Sequence, residues 1–187
     1  MPHYFDFRVS LKGISPKIWR RFLLADSASF EELHEAIQAS FGWEYEHLYE
    51  FKEKGGRGTI ARAGYDEGDA PPVHELTLAS FFQKPGTKCM YVYDFGDNWE
   101  HVVELVGVVD LPEKFRQRLL AGARACPPED RGGIGGYMDC VQIASMSDAD
   151  IKKAGAKDGE IAERKEWLGD WKPDNFNLAK VKKKFDR

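Results

Sequence analysis

The sequence predicts an α+β domain, a mixed but mostly antiparallel sheet with helices packed on it. Three observations carry this. The chain opens strand, strand, helix, which is not a regular βαβ array. A helix with its own N-terminal signal follows near residue 30. A strong central hairpin spans residues 88–109. No internal repeat and no linker divides the chain, so residues 1–187 are expected to form one domain.

The elements follow in order. Phe5, Phe7, Val9 and Leu11 alternate with Asp6, Arg8 and Ser10, the mark of a strand with one face buried. Gly13 and Pro16 turn the chain, and Ile18 to Ala25 returns as a second strand. Ser29 and Glu32 are spaced as a capping box. Phe30, Leu33, Ala36 and Ile37 then recur at helical spacing until Gly42. His47 to Phe51 alternates as a strand. Residues 54–75 are rich in Gly, Asp, Arg and Pro and read as a mobile loop. A short helix is expected over Thr77 to Phe82, then strands over Lys88 to Asp94 and Trp99 to Val109, joined by the turn Phe95-Gly96-Asp97-Asn98. Helices are expected over Pro112 to Leu120, Tyr137 to Met146 and Pro173 to Phe185. Cys126 to Gly136 reads as an irregular loop, and residues 147–166 as a charged helix or connector.

Composition narrows the class. Hydrophobic residues make up 42% of the chain and aromatics 13%, enough for a core. The formal net charge is -4 and the pI is about 5.8, which disfavours a nucleic-acid partner held by a broad basic surface. Three cysteines do not make a secreted disulfide framework. The opening residues carry no basic segment followed by an apolar stretch, and no apolar run approaches the roughly 20 residues of a membrane span. A cytoplasmic location without membrane contact is the expectation.

Three segments concentrate chemistry. The first runs from Tyr93 to His101 and holds Asp94, Asp97, Trp99 and His101. If residues 97–101 are extended, Asp97, Trp99 and His101 share a face, and a carboxylate with an imidazole at a turn suits a divalent ion or a general base. The alternative is structural: Asp and Asn cap their own turn, and Trp99 is core. The motif Asp94-Phe95-Gly96 is not a kinase signature, because the phosphate loop and His-Arg-Asp loop are missing. The second segment, Cys126 to Tyr137, holds Glu129, Asp130 and Arg131 between two prolines and four glycines. It matches neither a Walker loop nor a dinucleotide fingerprint, and reads either as part of a site or as a rigid tight contact. The third, Phe41 to Tyr49, contributes His47, as a ligand or as a core histidine. The adjacent Arg20 and Arg21 point to opposite strand faces, so one of them reaches toward the acids or both are solvated.

Taken together, these segments resemble a known family. The residues are Ile14 to Arg21, Leu33-His34, Phe41-Gly42-Trp43, His47 to Phe51, Tyr91 to His101, Cys126 to Asp130, and Gly132-Gly133 with Gly136-Tyr137. Trp167 to Asp170 and Pro173 to Phe176 complete the series. Their order is similar to the Ri-plasmid ORF-three-like family, which also occurs as a passenger labelled TnpR in insertion elements. The resemblance implies an α+β protein linked to plasmids and transposable elements. It brings no recombinase chemistry, because no serine-recombinase pattern is present. It also implies a second cysteine after Pro-Pro-Glu-Asp, where this chain has Arg131.

Two functions are expected from these readings. The first is an accessory binding module associated with mobile elements. The second is a divalent-metal-dependent hydrolase or nuclease, with Asp97, His101 and Glu129 as ligands and Asp94, Asp130, His47 and Arg20 around them. Several carboxylates gathered at about 4 Å repel by several kcal/mol at intermediate dielectric, so an ion, an arginine or outward geometry must relieve them.

Overall fold

The computed structural model describes every residue except 56–57, 64–69 and 156–158. Among the described residues, seven strands build one sheet: β1 (His3–Leu11), β2 (Trp19–Ala25), β3 (Tyr49–Glu53), β4 (Thr59–Arg62), β5 (Lys88–Tyr93), β6 (Trp99–Asp110) and β7 (Gln117–Ala123). Their order across the sheet is β4-β3-β5-β6-β1-β2-β7, and each ladder between these strands is antiparallel. The helices are α1 (Phe30–Phe41), α2 (Leu78–Phe81), α3 (Gly133–Ser145), α4 (Asp148–Gly155), α5 (Gly159–Leu168) and α6 (Leu178–Phe185). This is the α+β architecture the sequence predicts. Among the described residues, no helix is long and apolar enough to cross a membrane.

The pleat decides what is inside. Along β6, Trp99, His101, Val103 and Leu105 are buried, while Glu100, Val102, Glu104 and Val106 alternate with them toward the other face. The inner face is roofed by α1. Its N-cap Ser29 accepts from the Glu32 amide and Glu32 returns a carboxylate to the Ser29 amide, so two orphan donors are satisfied reciprocally. Phe30 of α1 meets Phe51 of β3 edge-on, and His34 lies flat on Tyr49 at 3.5 Å. At the opposite edge α6 closes the core with Phe185 against Phe22.

The structure differs from expectation in five places. Residues 112–120 are not a helix: the chain runs into β7, which pairs with β2 and alternates Gln117 and Leu119 inward. The short apolar run around Leu119-Leu120 fits either period, and the free ladder edge of β2 selects strand. Strand β4 lies inside the expected loop of residues 54–75. Residues 56–57 and 64–69 of that expected mobile loop lie outside the described ones. His47 precedes its strand instead of starting it. The glycines at 133–136 form the first turn of α3 instead of a loop. Helix α6 begins at Leu178 and not at Pro173. Residues 148–155 and 159–166 are helical, which is one of the two alternatives expected for residues 147–166.

Candidate functional site

Three loops meet at the tip of the β5–β6 hairpin. The turn between the strands is built by Asp94, whose Oδ1 accepts from the Gly96 amide at 2.9 Å and the Asp97 amide at 3.2 Å. Asp94 and Asn98 both have positive φ, a conformation that short polar side chains tolerate by bonding locally. The Asp94 amide donates to the Leu48 carbonyl at 2.9 Å, which draws the end of the second loop, residues 42–48, alongside. The third loop, from Cys126 to Gly132, arrives from β7.

Each expected residue takes a definite place. Glu129 is a tie between loops: its Oε1 accepts from the Tyr93 hydroxyl at 2.7 Å and its Oε2 from the Glu44 amide at 2.9 Å. Burial, and next Glu129, raise the Tyr93 pKa, so the phenol remains a donor. Asp97 holds the third loop by accepting from the Arg131 amide at 3.2 Å. Trp99 is core, 1% exposed. His101 is fully buried, edge-on to Phe41 and Trp43, with Nδ1 2.9 Å from the Trp99 carbonyl. Burial lowers its pKa to about 3 against the raising effect of that carbonyl, so it is neutral at pH 7.

The residues that do gather are His47, Asp94 and Asp130. One ligand atom from each lies within 4.8 Å of the others. His47 Nε2 is 2.9 Å from Asp130 Oδ1 and 3.7 Å from Asp94 Oδ2. The same Nε2 is screened from solvent yet makes no well-aligned hydrogen bond. Asp94 spends its Oδ1 on the turn and leaves Oδ2 for this meeting point. One imidazole and two carboxylates form a donor set suited to zinc, manganese or similar divalent ions. The expected ligand trio of Asp97, His101 and Glu129 is not such a group among the described residues. Alternation predicts Asp97 on the strand face of Trp99 and His101, whereas it sits in the turn and faces the third loop.

Arg20 does not reach the acids. It is 2% exposed and donates to the carbonyls of Ser40, Trp19, Ala123 and Arg124 at 2.7–3.0 Å. Arg21, on the opposite face, pairs with the buried Asp6 at 2.7 Å. Two positioning residues escaped the sequence reading. Tyr93 fixes Glu129, and Trp43 donates its indole N–H to the Pro127 carbonyl at 3.0 Å. Their only signal was their place inside the aromatic segments.

The chain matches known proteins over nearly its whole length. The model of the plasmid pRiA4b ORF-3-like protein family matches residues 3–180. The uncharacterized protein y4hQ of Sinorhizobium fredii is 31% identical over 186 residues, covering 96% of this chain and 89% of that protein. The crystal structure of a protein of unknown function, MM3350 from Methanosarcina mazei Go1, superposes with a TM-score of 0.79 at 31% identity, covering 97% of this chain and 98% of that one. The match to the family model over residues 3–180 shows that this chain belongs to the plasmid pRiA4b ORF-3-like family.

Proposed function

We propose that this chain is an accessory binding module of its plasmid-linked family whose tip site takes one divalent cation through His47, Asp94 and Asp130. The observation that carries the reading is the convergence of three ligand atoms within 4.8 Å, one of them an imidazole nitrogen without an aligned hydrogen-bond partner. A cation there relieves the repulsion between the two carboxylates and supplies that nitrogen with a partner. The accessory role is supported by the plasmid-linked family and by the lack of a complete catalytic motif in the sequence. A link to insertion elements belongs to the same proposal. The acidic pI of about 5.8 argues against a partner held through a broad basic surface.

The test is metal analysis of the purified protein, then calorimetric titration of the metal-free protein with zinc, manganese and magnesium. One ion per chain is expected, with a melting temperature that rises on saturation. At one hundred times the dissociation constant the stabilisation is about 2.7 kcal/mol. Uptake by the His47→Ala variant equal to wild type would sink the reading.

A second reading, a metal-dependent hydrolase or nuclease, is favoured by one observation. Three protein ligands leave coordination positions for water, and the Asp130 side chain is 71% exposed, so the site is open to substrate. Metal-dependent cleavage of a nitrophenyl phosphodiester, lost in His47→Ala, is the outcome that reading requires.

A further inference from the structure

A second concavity lies on the other side of the Cys126–Pro128 loop. It is a groove of about 940 Å³ between the end of α1, that loop and the C-terminal segment from Trp171 to Lys184. Its volume is that of a site for a small organic molecule. Trp43, Trp171 and Phe176 supply flat apolar wall. The Trp171 indole N–H donates to the Cys126 carbonyl at 3.1 Å and the Trp43 indole to Pro127, so both rings are fixed before anything binds.

The charge of this groove runs against that of the chain. The protein carries a formal -4, yet Arg20, Lys180 and Lys184 all line the groove. Arg20 is buried between the rings of Phe41 and Phe176, at 4.9 and 4.2 Å. Its four hydrogen bonds all go to neutral carbonyls. A guanidinium has five N–H groups, so one on Nη2 has no acceptor among the described residues. Two other buried ions have a direct counter-ion: Asp6 has Arg21, and Glu50 has Lys52 at 2.6 Å. Lys180 and Lys184 stand one turn apart on exposed positions of α6 and have no acidic partner among the described residues, whereas Lys182 between them pairs with Asp186. Among the described residues, the one carboxylate lining the groove, Asp174, is opposed by Arg124 at 3.4 Å. Three cations around an aromatic wall, one of them buried without a counter-ion, lack an anion.

We propose that this groove binds a small organic anion with a flat apolar body, of the aryl or acyl carboxylate class. The body lies among Trp43, Trp171 and Phe176, and the anionic group faces Lys180 and Lys184 above Arg20. The site uses none of the tip ligands, so it stands or falls apart from the cation reading.

The test uses the full chain and two fluorescent probes of nearly the same shape, anilinonaphthalene sulfonate and its uncharged counterpart N-phenylnaphthylamine. Saturable binding of one sulfonate probe per chain is expected, with the neutral probe at least about tenfold weaker. Lys180→Glu with Lys184→Glu is expected to weaken the sulfonate probe by about tenfold or more, and both positions are exposed, so the fold is retained. Lys180→Gln with Lys184→Gln should fall between the two. No saturable binding, equal affinity for the two probes, or an unchanged affinity in the charge-reversed variant would each overturn the proposal.

Discussion

The stem of the β5–β6 hairpin and the loops at its tip use the same residue types under opposite constraints. In the stem, His101 sits in a ladder opposite Tyr91, is 0% exposed and is walled by rings. Its position on the pleat sends it inward, and burial holds it neutral. At the tip, His47 lies in a loop, its side chain 29% exposed and flanked by two carboxylates. The backbone there is under strain. Tyr45, Asp94, Asn98 and Asp130 have positive φ, and among the described residues only Arg124 shares this outside glycine. A pleated strand silences a polar group by geometry. A strained loop keeps one available, and such strain concentrates where groups must be presented.

The largest expected effect attacks the lock between tip and body. A Cβ on Gly136 would run into the Arg131 carbonyl oxygen, and one on Gly133, with φ of 66°, into that of Asp97. Both obstacles are backbone and cannot swing aside. Gly136→Ala is expected to cost roughly 3 kcal/mol or more in urea denaturation. An unchanged midpoint would mean that the third loop is not held as described.

The stem is probed by acid. His101 and His34 are both lowered to about 3, in each case chiefly by burial. Between about pH 6.5 and 3 the unfolded chain therefore binds protons that the folded chain refuses, so stability falls as the pH falls through that window. Each histidine contributes a slope of up to about 1.4 kcal/mol per pH unit. His101→Phe keeps a ring in the core and removes one proton from the difference. Denaturant midpoints at pH 7, 6, 5 and 4 should decline less steeply in this variant. An identical decline would place the acid sensitivity elsewhere.

The same contrast explains what could be read without coordinates. Capping by Ser29 and Glu32, the alternation of β6 and the separation of Arg20 from Arg21 are local, and each was legible. The region around Leu119 was not, because a short apolar run becomes a strand only when the edge of β2 offers it a partner. All three residues of the tip group were among the candidates, but their grouping was not legible. It depends on a register: Tyr49 pairs with Tyr93, which sets Leu48 against Asp94 and brings His47 to the turn. Ladder registers between strands some forty residues apart are not written in local periodicity.

The smallest expected change in stability is the sharpest test of the tip. Asp94 has two jobs that one substitution separates. Its Oδ1 holds the turn through two amides, and its Oδ2 faces His47. Asn keeps an acceptor oxygen and tolerates the positive φ at this position. Asp94→Asn is therefore expected to shift stability by less than about 0.5 kcal/mol, whereas Asp94→Ala loses both bonds and costs about 1–2 kcal/mol. Removing the charge should still weaken divalent-cation binding about tenfold or more in calorimetric titration. If cation affinity instead tracks stability, falling with Ala but not with Asn, Asp94 serves only the turn, and the tip would be scaffold like the stem beneath it.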